Sequence, residues 1–146
     1  MFNNETLKVT GQVSVTIFDK DGKVKDQREI KNLVVTVGKQ FIAGRMVGTP
    51  TAMSHMAIGS GTTAAAAGDT TLQTELGRVA LASAAAAGAV VTYTTTFPPG
   101  TGTGAVTEAG ILNASSAGTL LCRTVFAVVN KGADDAMAIT WAVTVS

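Results

Sequence analysis

Several things are scarce in this chain, and each scarcity excludes a class of protein. There is one cysteine, Cys122, so no disulfide can form within the chain. Such a chain is compatible with synthesis in a reducing cytoplasm. There is one histidine, His55. A zinc site usually needs three or four protein ligands, and a catalytic His needs an acid or a nucleophile beside it, so metal and His-based chemistry lack their raw material. No apolar run approaches the ~20 residues of a membrane-spanning helix. The first residues, MFNNETLKVTG, do not pair a basic stretch with an apolar core, so no secretory signal is expected. Only seven aromatic residues are present, which leaves little for an exposed sugar-stacking platform.

Charge is scarce in a patterned way. The net charge is +1, so no strong pull toward nucleic acid or lipid is expected. Residues 1–45 carry eight basic and five acidic side chains; the remaining 101 carry only three basic and five acidic. Soluble surfaces are commonly ~25–35% charged. The C-terminal two thirds must therefore be covered by Thr, Ser, Gly and Ala, or face another chain, as the centre of an interface does.

What is abundant is alternation. The 146 residues suit one domain, 1–146, long enough to bury a core without staples. Leu7–Phe18 puts Val9, Val13, Val15 and Ile17 on one parity, with Gly11 expected to mark a bulge. Asp19–Gly22 reads as a hairpin turn, and Lys23–Lys31 returns as a charged edge strand, giving an N-terminal charged hairpin over 7–31. The period then changes. Leu33, Val37, Phe41 and Met46 suit a helix near 37–46, capped by Asn32 or Thr36 and stopped by Gly48 and Pro50. Met53–Gly59 is a strand, followed by the loop GSGTTAAAAGDTT, in which Asp69 caps a short turn over Thr70–Leu76. From Arg78 onward strands prevail: 78–86 paired with 88–97 through Ala87-Gly88, then Val106–Asn113, Thr119–Val129 and Ala136–Val145. Pro98–Gly104 is a loop. The last strand aligns Met137, Ile139, Trp141, Val143 and Val145, so Trp141 is expected in the core. The whole pattern predicts a mainly β protein: an antiparallel two-sheet β-sandwich, jelly-roll-like, with one short helix near 37–46.

Candidate chemistry is thin, and no catalytic, cofactor-binding or metal residue is assigned. Asp19-x-Asp21-Gly22 resembles the start of a calcium loop, but its glycine comes early and no glutamate closes twelve residues. Gly59-x-Gly61 lacks the third glycine, the helix start and the lysine of a phosphate loop. Cys122 sits in the apolar run LLCRTVF, the setting of a buried structural thiol. Glu108 and Arg123 are lone charges in apolar strands and are expected to pair, either in the core or at an interface.

One set of residues resembles a known family. Ile58-Gly59-Ser60-Gly61-Thr62-Thr63, then Gly68-Asp69-Thr70, Leu72, Glu75 and Arg78, is similar to a pattern in virion structural proteins of tailed bacteriophages. Asn32–Thr36 with Gly38, Glu108–Asn113, Leu120–Phe126 and Ile139–Trp141 resemble further segments of that family. The resemblance implies a non-enzymatic β-sandwich without cofactor or metal. It would be made in the bacterial cytoplasm and carried on the virion capsid surface as a decoration (cement) protein. Its partner would be the major capsid protein, bound as a homo-oligomer, a trimer by capsid symmetry, with no nucleic acid or membrane involved; the Gly59–Asp69 and Pro98–Gly104 loops are the expected contact elements, because loops on a rigid sandwich carry variable recognition. A tail, baseplate or fibre component is the alternative, and a carbohydrate-binding module for host attachment is a second one.

Overall fold

A computed structural model describes residues 5–146 of the chain. Nine antiparallel strands and one helix follow in the order β1 (Val9–Phe18), β2 (Val24–Val34), α1 (Thr36–Arg45), β3 (His55–Gly59), β4 (Glu75–Ala80), β5 (Ser83–Ala87), β6 (Val90–Phe97), β7 (Gly104–Leu112), β8 (Leu120–Lys131) and β9 (Ala136–Val145). The protein is mainly β and antiparallel, with one helix among the described residues.

The strands form one hydrogen-bonded order, β4-β3-β7-β8-β2-β1-β9-β6-β5. This is a single curled sheet, where alternation had suggested two separate ones. The physical reason lies in β2, which joins the halves. Gly11 to Phe18 of β1 pair along its length, and then Leu33 and Val34 at its end pair with Arg123 and Cys122 of β8. The opposite margin curls back too. β4 and β5 are consecutive in the chain yet lie at opposite ends of the order, with a corner at Leu81–Ala82, where Leu81 N–H donates to Ser54 O and Ala82 N–H to Thr94 O.

The concave face holds the core. Inward rows run straight across strands: Val13–Trp141–Tyr93 and Ile17–Met137–Phe97. From the other half come Met56, Ile58, Ile111 and Cys122, all fully buried. Trp141 is 0% exposed, as the parity of β9 required. A smaller cluster, Val35, Ala57, Leu72, Leu112 and Leu120, lies apart from it.

Local expectations fare unevenly. Helix α1 stands, ended by Gly48 at φ +84° and by Arg45, which donates to Pro50 O at 2.8 Å. Its cap is not Asn32 or Thr36. Val35 is the N-cap without a side-chain bond, and Thr36 N–H is satisfied by Ala67 O at 2.8 Å. Asn32 instead lies in β2 opposite Gly11, which is no bulge, since the β1–β2 register is regular there. The missing Cβ of Gly11 leaves room for the Asn32 amide, which a side chain would strike. The hairpin turn forms as expected, with Asp19 Oδ1 accepting from Asp21 N–H and Lys23 N–H. The edge expected over Lys23–Lys31 is interior to the strand order, although ladder pairing to β8 is confined to the end of β2. Further back, Arg28 reaches across and donates to Ala127 O and Val128 O. The helix-like turn over Thr70–Leu76 does not form, because β4 already begins at Glu75 and pairs with β3. The strand read over 78–86 breaks into β4 and β5 at the corner.

Candidate functional site

The loop between β3 and β4 folds back over the convex face of the β3–β7–β8 half. Ala109 and Ile111 of β7 belong to the main core, while Leu112 belongs to the smaller cluster with Leu72 of the loop. Glu108 and Arg123 share that outer side. In water they would be surface charges; under the loop both side chains are 0% exposed.

Burial of two charges is tolerable only if every lone pair and donor finds a partner. Here they do. Arg123 Nε donates to Glu108 Oε1 at 3.0 Å, its NH1 to Asp69 Oδ2 at 2.8 Å and its NH2 to Thr63 O at 3.0 Å. Glu108 also accepts from the loop backbone: Gly61 N–H at 2.7 Å and Thr74 N–H at 2.8 Å on Oε2, and Gln73 N–H at 2.9 Å on Oε1. Thr107 Oγ1 donates to Gly61 O at 2.7 Å. Burial pushes the Glu108 carboxyl up, but the bonds from Thr74, Gln73, Arg123 and Gly61 outweigh it and hold the group below its ordinary value. Asp69 closes the alanine turn by accepting Ala66 N–H at 2.9 Å. Glycine is required at two points, since a Cβ on Gly59 or Gly61 would strike Glu108. Arg78 pins the next turn, donating to Ala114 O and Ala117 O while Glu75 holds its guanidinium at 2.7 Å. The expectation that Glu108 and Arg123 pair is met in its core form. The residues that carried the family resemblance, Gly59, Gly61, Asp69, Leu72, Glu75, Arg78, Glu108 and Arg123, thus clamp one loop and brace its neighbour.

The other candidates stay apart. His55 begins β3, half-buried, its Nδ1 2.8 Å from Ser54 Oγ. Cys122 is buried in the core, and burial pushes its thiol well above the ordinary value, the opposite of a nucleophile's requirement. Asp19 and Asp21 serve their turn. Among the described residues no three His, Cys, Asp or Glu side chains gather in a metal-binding group. A second polar cluster escaped sequence reading: Lys131, 1% exposed, donates to Pro98 O at 2.9 Å, and Asp135 accepts Lys25 Nζ at 2.7 Å. Lys131 anchors the start of the Pro98–Gly104 loop, where a Cβ on Gly102 would strike Ile58 and a Cβ on Gly77 would strike the Gly102 backbone. Both loops expected to make contacts are therefore held rigidly.

The convex face of the opposite half is of a different kind. Side chains facing away from the core on β1, β9, β6 and β5 fall in register as Ser14–Thr140–Thr94–Ser83, with Gln12–Ala142–Thr92–Ala85 and Thr10–Thr144–Val90–Ala87 on one side of it. None is charged and none is buried. At ~4.8 Å between strands and ~6.8 Å between like-facing residues, such a grid spans on the order of 500 Å². No helix among the described residues is long and apolar enough to cross a membrane. No protein-family model, no curated protein and no solved structure matches the chain.

Proposed function

We propose that this chain is a non-enzymatic virion structural protein of a tailed phage, a decoration or cement protein that docks on the head shell as a homo-oligomer, a trimer in the simplest symmetry. The observation that carries the reading is the uncharged hydroxyl-and-methyl face of β1, β9, β6 and β5. A solvated surface of that size ordinarily carries charges, and the charge-free centre of an interface does not. Hydroxyls both donate and accept, so such a face fits a polar backbone surface or a copy of itself. In this role the curled sheet acts mechanically as the two-layer, jelly-roll-like sandwich that alternation suggests, with one layer turned to the shell and the other carrying the clamped loop. Stabilisation of the shell is mass action: a protein that binds only the assembled form shifts the equilibrium toward it. The sugar-binding alternative is disfavoured because no aromatic ring among the described residues is exposed, Trp141, Phe97, Tyr93 and Phe41 being core. Reconstruction of the virion tests the proposal. Density for this chain between major capsid subunits is expected, and density confined to the tail, baseplate or fibre would replace the cement reading by that alternative.

A further inference from the structure

We propose that the Ser60–Thr74 loop is a latch: protonation of Glu108 lets it lift off the sheet as one unit and uncap helix α1, while the main core stays folded. The latch is independent of the shell reading. The loop is tied to itself. Its neck is closed by Ser60 N–H donating to Thr74 O at 2.9 Å. Within it, Thr63 N–H donates to Gln73 Oε1, Ala66 N–H to Asp69 Oδ2 and Asp69 N–H to Ala66 O. A compact loop with its ends together keeps its shape when it moves. Among the described residues, its polar ties to the strands beneath run through three side chains, Glu108, Arg123 and Thr107. Its apolar tie is Leu72, which packs with Val35, Ala57, Leu112 and Leu120 in the cluster that lies apart from the main core. Lifting the loop therefore breaks the small cluster and spares the large one.

Helix α1 is coupled to this movement. Thr36 N–H donates to Ala67 O of the loop, and Val37 packs against the small cluster. The first N–H groups of a helix have no partner within it, and the N-cap side chain here makes no bond. Release of the loop removes both supports from the first turn. The trigger is Glu108. As a carboxylate it accepts three loop N–H groups; as an acid its own O–H would face donors. Arg123 of β8 meets it directly, and Asp69 of the loop lies on the other side of Arg123. Lys31 of β2 borders the hollow beside Arg123, and Glu75 of β4 is turned to Arg78. The closed loop holds the Glu108 carboxyl below its ordinary 4.5, so the lifted form gains population as pH falls below that value.

The test is native-state amide exchange of the full chain in low urea, read as protection factors. Gly61, Gln73, Thr74 and Thr36 are expected to share one opening of weak urea dependence, distinct from the global opening of β1 and β9. Relative to β1 and β9, their protection should fall about threefold between about pH 6 and about pH 4, the factor that a carboxyl of ordinary value 4.5 allows. Glu108→Gln should open the loop at neutral pH and abolish this pH dependence. Asp69→Asn leaves Glu108 in place and removes the second acid from Arg123; it should raise the opening about tenfold and keep the pH dependence. If Glu108→Gln does not fold, the parent and Asp69→Asn decide the matter. Exchange of the loop together with β9 in a single global opening would overturn the proposal. So would loop protection that ignores pH over this range, or a Thr36 amide that stays protected while the loop opens.

Discussion

Two buried charges, Glu108 and Arg123, bear the largest residue-scale consequences. Neither is a stabiliser in isolation; each is tolerated because the other, with Asp69 and four backbone groups, completes it. Removing one partner from a buried pair typically costs ~3–5 kcal/mol, because the remaining charge is left stranded. Glu108→Gln is therefore expected to lower the stability read from urea unfolding by about that amount, and to free the loop amides of Gly61, Gln73 and Thr74 for exchange. The pH dependence follows from the same geometry. The folded-state pKa of Glu108 lies below its ordinary 4.5. A carboxyl depressed on folding contributes stability that is fully present above the unfolded value and is lost as pH falls through the folded one. Unfolding free energy should fall less between pH 5 and the acid transition, roughly, in Glu108→Gln than in the parent. Trp141 is the apolar counterpart. Its replacement by Ala is expected to cost ~3–5 kcal/mol, measured as a loss of melting temperature and urea midpoint.

Helix α1 illustrates how an element can be set by a neighbour rather than by its own propensity. Its N-cap side chain is the non-capping Val35, and its hydrogen-bond partner at the start is the carbonyl of Ala67 in the clamped loop. The helix rests on β8 so closely that a Cβ on Gly38 would collide with the Leu121 carbonyl. Alanine is ordinarily the better helix former by ~1 kcal/mol. At this position overpacking against a backbone atom wins, with a typical cost of ~1–3 kcal/mol. Gly38→Ala should thus destabilise the protein, with amide protection lost first in Thr36–Arg45. An increase in the urea midpoint would show that helix and strand can separate freely.

For the whole molecule, the division of labour between the two convex faces makes a direct prediction. One face is sealed by the loop and its ionic clamp; the other carries the uncharged grid of β1, β9, β6 and β5, bordered by Glu29 and Lys31 of β2. Lysines placed at Thr10 and Thr140, both exposed and not opposite each other, lie on the grid and outside the core rows. Surface substitutions of this kind change stability by only ~0.5 kcal/mol. The double variant should melt as the parent does, yet fail to decorate heads and fail to self-associate in sedimentation. Decoration at parental levels would move the contact to another surface.

Periodicity alone determined much of this protein. The period-2 runs marked β1, β6 and β9, the change of period marked α1, and the parity of β9 placed Trp141 in the core, because side-chain direction in a strand or helix is a local property. The pairing of Glu108 with Arg123 was legible as a need, since isolated charges in apolar strands demand partners. Which loop they would hold was not, because Gly61, Thr63, Asp69, Gln73 and Thr74 meet them only after β3 and β7 have paired. Tertiary structure also decided that β2 joins both halves, that Leu81–Ala82 turns a corner, and that Asn32 fills the space beside Gly11 instead of capping α1. Each of these depends on what another strand presents across the sheet. Alternation is the same for two stacked sheets and for one curled sheet, so only the long-range register could choose between them.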